Sequence, residues 1–239
     1  MRKLFFLIIV SCISILGYSQ NFNLDSSLQV IKTQKDSVLK ASKLKRDSVY
    51  RSDLHNDSVK TNKEFAEVIK WEKMKAVEIF PIINASEMSG VVPVKNQEEI
   101  PDPKMTYKLL FELTMNNPDS TIQELNYGLV EVVRIINLHA ASGIPLKNII
   151  PVIVAHGGVL HSLKNNEHFR KKYKIDNPNI KLIGDLEKFG TKFIACGQAM
   201  SFLDIQKEAF LPQVKVSLTA KTVISGYQLK GFVLMGVDR

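Results

Sequence analysis

Hydrophobic and polar positions divide this chain into three stretches of different character before the pattern settles into regular alternation. Residues 4–16 are an almost unbroken apolar run. Residues 21–75 are polar and rich in Lys, Ser and Asp, with apolar positions scattered singly. Residues 76–106 are apolar again but interrupted by Pro81, Gly90, Pro93, Pro101 and Pro103, which argue against regular structure. They predict an irregular strap laid across a surface, with Pro101-Asp102-Pro103 marking the entrance to a folded domain.

From Tyr107 onward, strand-like and helix-like periods alternate. Residues 107–113 predict a first strand. The turn residues Asn117, Pro118, Asp119, Ser120 and Thr121 lead into a helix that runs to about Ala141. Leu125, Leu129, Val132, Val133 and Ile136 lie on one face of it, and Gly143 closes it. Residues 149–155 are continuously apolar, as a strand buried on both faces should be, with Pro151 tolerable only near its start. His156-Gly157-Gly158 turns that strand into a short helix, followed by a polar stretch to Asp176. Asn177-Pro178-Asn179 begins a further helix that stops at Gly190. A third strand spans 192–195 and delivers Cys196, a fourth spans 214–218, Thr219 caps a last helix, and 232–235 form the fifth strand. Strands joined by helical crossovers make a mainly parallel sheet covered on both faces. The fold class is α/β: a three-layer α/β/α sandwich over 107–239, preceded by a polar arm.

The first residues change the picture of where the protein works. Arg2 and Lys3 precede the apolar run, and Gly17-Tyr18-Ser19 supplies small residues at the positions a signal peptidase reads. Residues 1–19 therefore read as a signal peptide, cut between Ser19 and Gln20, and the expected location is exported and periplasmic. The run is short for a membrane span, which takes about 20 residues. Lipidation at Cys12 is the alternative, on a faint lipoprotein-like Ile9-Val10-Ser11-Cys12, although the apolar run continues past that cysteine. No later segment is long and apolar enough to span a bilayer, so no stable membrane span is expected.

Net charge is +8, and residues 21–75 carry much of it, with 12 Lys/Arg against 8 Asp/Glu. Such a basic arm suits an anionic envelope partner or a solvated helix. Nucleic acid is excluded as a partner by the absence of a recognition motif and by export. Within the arm, Asp36-Ser37-Val38, Asp47-Ser48-Val49 and Asp57-Ser58-Val59 recur loosely. An eleven-residue period supports a long helix, but one or two apolar residues per repeat bury no continuous seam. Residues 20–75 are thus expected to be a disordered or partly helical spacer.

Only two cysteines occur, and removal of residues 1–19 leaves Cys196 alone, with no internal disulfide possible. A sulfur at the carboxyl end of a strand, facing the first amides of a helix, stands where open α/β sheets bind ligands. Those N–H groups favour thiolate over thiol. A buried filler cysteine is the competing reading. His156 ends the second strand as Cys196 ends the third, so an imidazole would project over the same edge. It would act as an electrostatic partner of the sulfur, or as a cap for its own turn. Gly157, Gly197 and Gln198 surround these two and are assigned to substrate binding. His139, His161 and His168 are too scattered to form a ligand set with the cysteine, so no metal is expected. Neither a G-x-G-x-x-G nor a Walker motif is present, which removes a nucleotide, and no cofactor is expected. The absence of G-x-S-x-G removes the usual hydrolase reading.

His156-Gly157 closing a strand, Asn177-Pro178-Asn179 before a helix, and Ala195-Cys196-Gly197-Gln198 resemble the DsrE/DsrF-like family of sulfur-handling proteins, from about Tyr107 to the C-terminus. The resemblance is nearest to exported single-domain members with an N-terminal extension. It implies a three-layer sandwich assembled as a homo-oligomer, a trimer or hexamer. It also implies a Cys196 that accepts and passes on persulfide sulfur, a supporting place for His156, and a sulfur donor or acceptor protein as partner. Export and the basic arm set this chain apart from intracellular relay members, whose cytoplasmic partners it would not meet. The alternative function is a non-catalytic oligomeric binding module whose arm contacts an envelope partner.

Overall fold

The computed structural model describes residues 24–237. Residues 1–19, expected to be a signal peptide, and Cys12 with them, lie outside the described residues. The chain divides into two compact units, 1–67 and 68–239.

The described residues of the first unit, 24–67, are helical. Helix α1 runs without interruption over Leu24–Lys75, 52 residues. This is more regular than the partly helical spacer expected from composition. The reason is local: residues 24–75 contain neither Gly nor Pro, the two residue types that break helices most strongly. Residues 29–73 are exposed all along the helix, in keeping with a repeat too sparse to form a packed seam. Among the described residues no helix is long and apolar enough to cross a membrane.

The second unit holds a five-stranded sheet of β1 (Tyr107–Leu113), β2 (Ile149–Ala155), β3 (Lys192–Cys196), β4 (Val214–Ser217) and β5 (Val233–Met235). Their order is β4-β3-β2-β1-β5, and every neighbouring pair is parallel. Strand β2 lies in the middle, which explains its continuous apolar run. Pro151 falls one residue ahead of the β2–β3 ladder, which begins at Val152 opposite Lys192. The remaining helices are α2 (Tyr127–Ala141), α3 (Asn166–Tyr173), α4 (Ile180–Lys188), α5 (Gly197–Phe202) and α6 (Ala220–Leu229).

Two apolar layers fill the sandwich. The larger lies between one sheet face (Phe111, Ile153, Phe193) and Leu129, Val133, Ile136, Ile183, Leu186 and Met200 from α2, α4 and α5. The smaller lies on the opposite face, where Leu110, Val152, Val154 and Cys196 meet Ala220 and Ile224 of α6. The alternation of side chains along each strand sets this division.

Several boundaries follow from single residues. Asn126 caps α2 by accepting from the Leu129 N–H. Gly190, at φ +102°, ends α4 in the left-handed region glycine adopts readily. The polar stretch before Asp176 contains a helix the pattern left out, α3, capped by Asn165 and anchored by the buried Phe169. The strap over 76–106 is irregular, with one 3₁₀ turn at Glu87–Ser89 and an antiparallel bridge between Ile79 and Val91. Its hold on the domain is a side chain. Buried Asn137 accepts from the Ile82 and Ile83 N–H groups and donates to the Ile83 and Ser89 carbonyls.

A chain that starts at Lys75 is expected to keep the cooperative melt of the longer protein, because the exposed residues 29–73 of α1 bury no apolar surface within their own unit. Differential scanning calorimetry checks this, and a fall of many degrees would show that the arm packs as core.

Candidate functional site

Strand β3 ends at Cys196, which also occupies the cap position of α5. The side chain is 5% exposed and packs on the α6 face. Two helix starts converge on its sulfur. The backbone N–H groups of Ala199 and Gln198 from α5, that of Ala220 from α6, and the Thr219 hydroxyl all favour its thiolate. Burial alone would raise the thiol pKa, but these four donors together outweigh burial and bring it below the ordinary thiol value.

The convergence depends on a close approach of backbones. The Gln198 N–H donates to the Leu218 carbonyl at 3.1 Å, tying the start of α5 to the loop before α6. A Cβ added to Gly197 would lie 2.6 Å from the Ser217 carbonyl oxygen. Glycine is therefore required here for proximity. Gly197→Ala is expected to destabilise the domain by about 1–3 kcal/mol, the usual cost of overpacking, and to move the α5 amides off the sulfur. Chemical denaturation together with the thiol's reaction rate reads both effects; wild-type values for both would show that the loop yields freely.

His156 stands directly across from Cys196, since Ala155 and Ala195 are partners in the β2–β3 ladder. Its hydrogen bond, however, goes to the other side. Nε2 lies 2.8 Å from Glu112 Oε1 on β1, and the same oxygen lies 2.8 Å from Lys221 Nζ on α6. Lys221, with His156 behind it, holds the Glu112 carboxyl below its usual range against the opposing effect of burial. No hydrogen bond joins His156 to the sulfur among the described residues, and the donors that lower the thiol do not include the imidazole. The edge thus carries a line of groups, Lys221–Glu112–His156 and then Cys196, in which the imidazole is fixed by the carboxylate.

The other assigned positions have visible local roles. Gly157 adopts φ +65°, and a Cβ there would meet the Thr114 carbonyl at 3.1 Å, so it serves the turn that follows β2. Gln198 is exposed, and its backbone N–H, already bonded to the Leu218 carbonyl, contributes least to the lowering of the thiol pKa. His161 is elsewhere, 2.9 Å from Lys172 Nζ. Burial, then the charges of Lys172 and Lys164, push its pKa down to about 4, so it is neutral at physiological pH. His139 packs edge-on against Tyr107, and His168 bonds Asn165. Among the described residues no group of His, Cys, Asp and Glu is arranged to hold a metal.

Sequence reasoning missed Glu112, Lys221 and the sulfur contact of Thr219. Glu112 left a trace, as the one carboxylate of β1, near its carboxyl end. Lys221 left none, because a lysine in the first turn of a helix reads as solvated.

The chain matches the model of the DsrE/DsrF-like family over residues 108–235, more than half its length. No curated protein matches it. Among solved structures it is similar to MTH1491 from Methanobacterium thermoautotrophicum, a protein of unknown function. The identity is 18%, the match covers 54% of this chain and 97% of that one, and the TM-score is 0.41.

Proposed function

The chain belongs to the DsrE/DsrF-like family, whose fold is related to sulfur relay, and from that premise we propose that it is a periplasmic sulfur carrier that uses Cys196 as a covalent acceptor. The observation that carries this reading is the set of three backbone N–H groups and one hydroxyl trained on a single sulfur at the carboxyl edge of the sheet. A filler cysteine needs no such donors. A nucleophilic thiolate does.

The transfer balances without an added oxidant. The Cys196 thiolate attacks the outer sulfur of a donor persulfide, R–S–SH. The new bond is Cys196 Sγ–S, the donor's S–S bond breaks, and its electron pair leaves on R–S⁻. An acceptor thiolate then takes the same sulfur, returning Cys196 as thiolate. Cys196 is the only free cysteine among the described residues, so discharge goes to an external thiol and not to an internal partner. Export rests on the order of charged, apolar and small residues in 1–19, and a trimeric or hexameric assembly rests on the family resemblance.

Incubation of the mature protein with polysulfide is expected to add sulfur to the peptide bearing Cys196, read by mass spectrometry. An adduct that forms only after unfolding would make the cysteine structural. The long helix α1, exposed over residues 29–73, favours, as a second reading, a binding module whose basic arm meets an anionic envelope partner. In that case the arm, and not Cys196, determines retention on envelope fractions.

A further inference from the structure

The strand order changes direction between β1 and β5. From β1 the chain steps outward through β2, β3 and β4, then returns to place β5 on the other side of β1. Such a switch point is where open α/β sheets leave a crevice at their carboxyl ends. A cavity of about 250 Å³ occupies this position, between the end of β1, the loop after it, the first turn of α2 and the segment after β5. It is separate from the edge of β3 that carries the sulfur, but Glu112 lies close to both, lining the cavity while it fixes His156.

The lining decides what can bind. Leu113, Met115, Pro118, Tyr127 and Val237 make the walls chiefly apolar. No Lys, Arg or His lines the cavity, so nothing there would neutralise an anionic head group. Glu112 is already ion-paired with Lys221 and hydrogen-bonded to His156, so a cation would have to displace an existing pair. The asparagine amides are spent internally. Asn117 Nδ2 donates to the Thr121, Glu124 and Leu125 carbonyls, Asn126 Nδ2 to the Met115 carbonyl, and Asn116 Nδ2 to the Tyr173 hydroxyl. What remains is a preformed recess for an uncharged, apolar group.

Resting on the sulfur-carrier reading, we infer that this cavity seats the apolar organic part of a small-molecule sulfur donor or acceptor, with its sulfur extended along the edge to Cys196. Strands β1 and β3 are two intervals apart, roughly 10 Å at the usual spacing, so the organic part must be a chain of several carbons. The specificity of the carrier is thereby set by chain length and apolarity, and not by charge.

The test uses n-alkyl methanethiosulfonates of one, four and eight carbons on the full chain. Each reagent gives its alkylthio group to the Cys196 thiolate, forming a disulfide and expelling methanesulfinate. Rates are followed on the peptide bearing Cys196 and divided by the rate of the same reagent with a free thiol. The octyl-to-methyl ratio is expected to exceed that of the free thiol by tenfold or more. It should fall back towards the free-thiol ratio in Val237→Trp, which fills the recess from near the chain end, and in Thr114→Leu, which fills it from β1's end. A flat ratio in the wild type, or a ratio that survives both fillings, overturns the pocket while leaving Cys196 reactive. Failure of every reagent, the methyl one included, overturns the carrier reading and the pocket with it.

Discussion

Alkylation of Cys196 in the folded protein is expected to proceed at a lower pH than that of a free thiol of pKa about 8.5, and Cys196→Ser is expected to abolish it completely. The cause is specific. Burial opposes ionisation, and the Ala199, Ala220 and Gln198 N–H groups with the Thr219 hydroxyl overcome it. Thr219→Val should therefore raise the apparent pKa of the reaction, while Thr219→Ser should keep it low. The valine variant also loses the cap that accepts from the Lys221 N–H, at a cost of about 1 kcal/mol, so rates are compared well below the melting temperature. His156→Ala should alter the profile less than Thr219→Val, because the imidazole bonds Glu112 and not the sulfur. A profile that shifts with His156 and ignores Thr219 would show that an ion pair governs the thiol.

The same depression has a consequence for stability. A group whose folded pKa lies below its unfolded value adds stability that is fully present above the unfolded pKa and is lost as pH falls through the folded one. Cys196 should thus contribute nothing in acid and progressively more between its lowered value and the ordinary thiol value. Cys196→Ser should remove that rise. Equilibrium denaturation of both proteins across neutral to alkaline pH checks it, and parallel curves would mean that the thiol does not ionise in the native state.

The fold was legible because its strands are apolar enough to leave little choice. Strand β2 could not be half-exposed, and its position between β1 and β3 follows. The carboxyl-edge placement of Cys196 was equally plain, since a strand that runs into Cys-Gly and then a helix must present the sulfur beside amides. Less could be read of what surrounds it. The sulfur's donors come from two helices, and Ala220 and Thr219 are more than twenty residues away in sequence. Glu112 meets Lys221 only because the β1–α6 crossing places them on one face. The continuity of α1 was missed because composition speaks of burial, and this helix is held by its own backbone without burial. The helix α3 was missed for a related reason, one apolar anchor, Phe169, being too weak a period.

Loss of the Asn177 side chain is expected to be among the most destabilising single changes in the domain. Asn177 was visible in the sequence only as part of a helix start, yet it joins three loops. Its Nδ2 donates to the Ser162 and Lys164 carbonyls, and its Oδ1 accepts from the Asn179 N–H and Nδ2. Asn179 in turn accepts the Asn126 N–H, and Asn126 caps α2. The groups are buried, with Asn179 and Asn126 at 2% and 1% exposure, so water does not replace a lost partner easily. Each unmade bond costs about 1 kcal/mol net and more where a buried group is orphaned. Asn177→Ala should therefore cost about 4 kcal/mol, which is the range reached when a buried network is broken. At the usual entropy of unfolding for a domain of this size, the melting temperature falls by about 10 °C. Asn177→Asp keeps an acceptor for Asn179 but removes both donated bonds, so it should be comparably damaging. A double-mutant cycle with Asn179→Ala separates the shared bonds from the rest. Strict additivity of the two, or a loss below about 1 kcal/mol for Asn177→Ala, would show that these loops are held by their apolar neighbours and not by the asparagines.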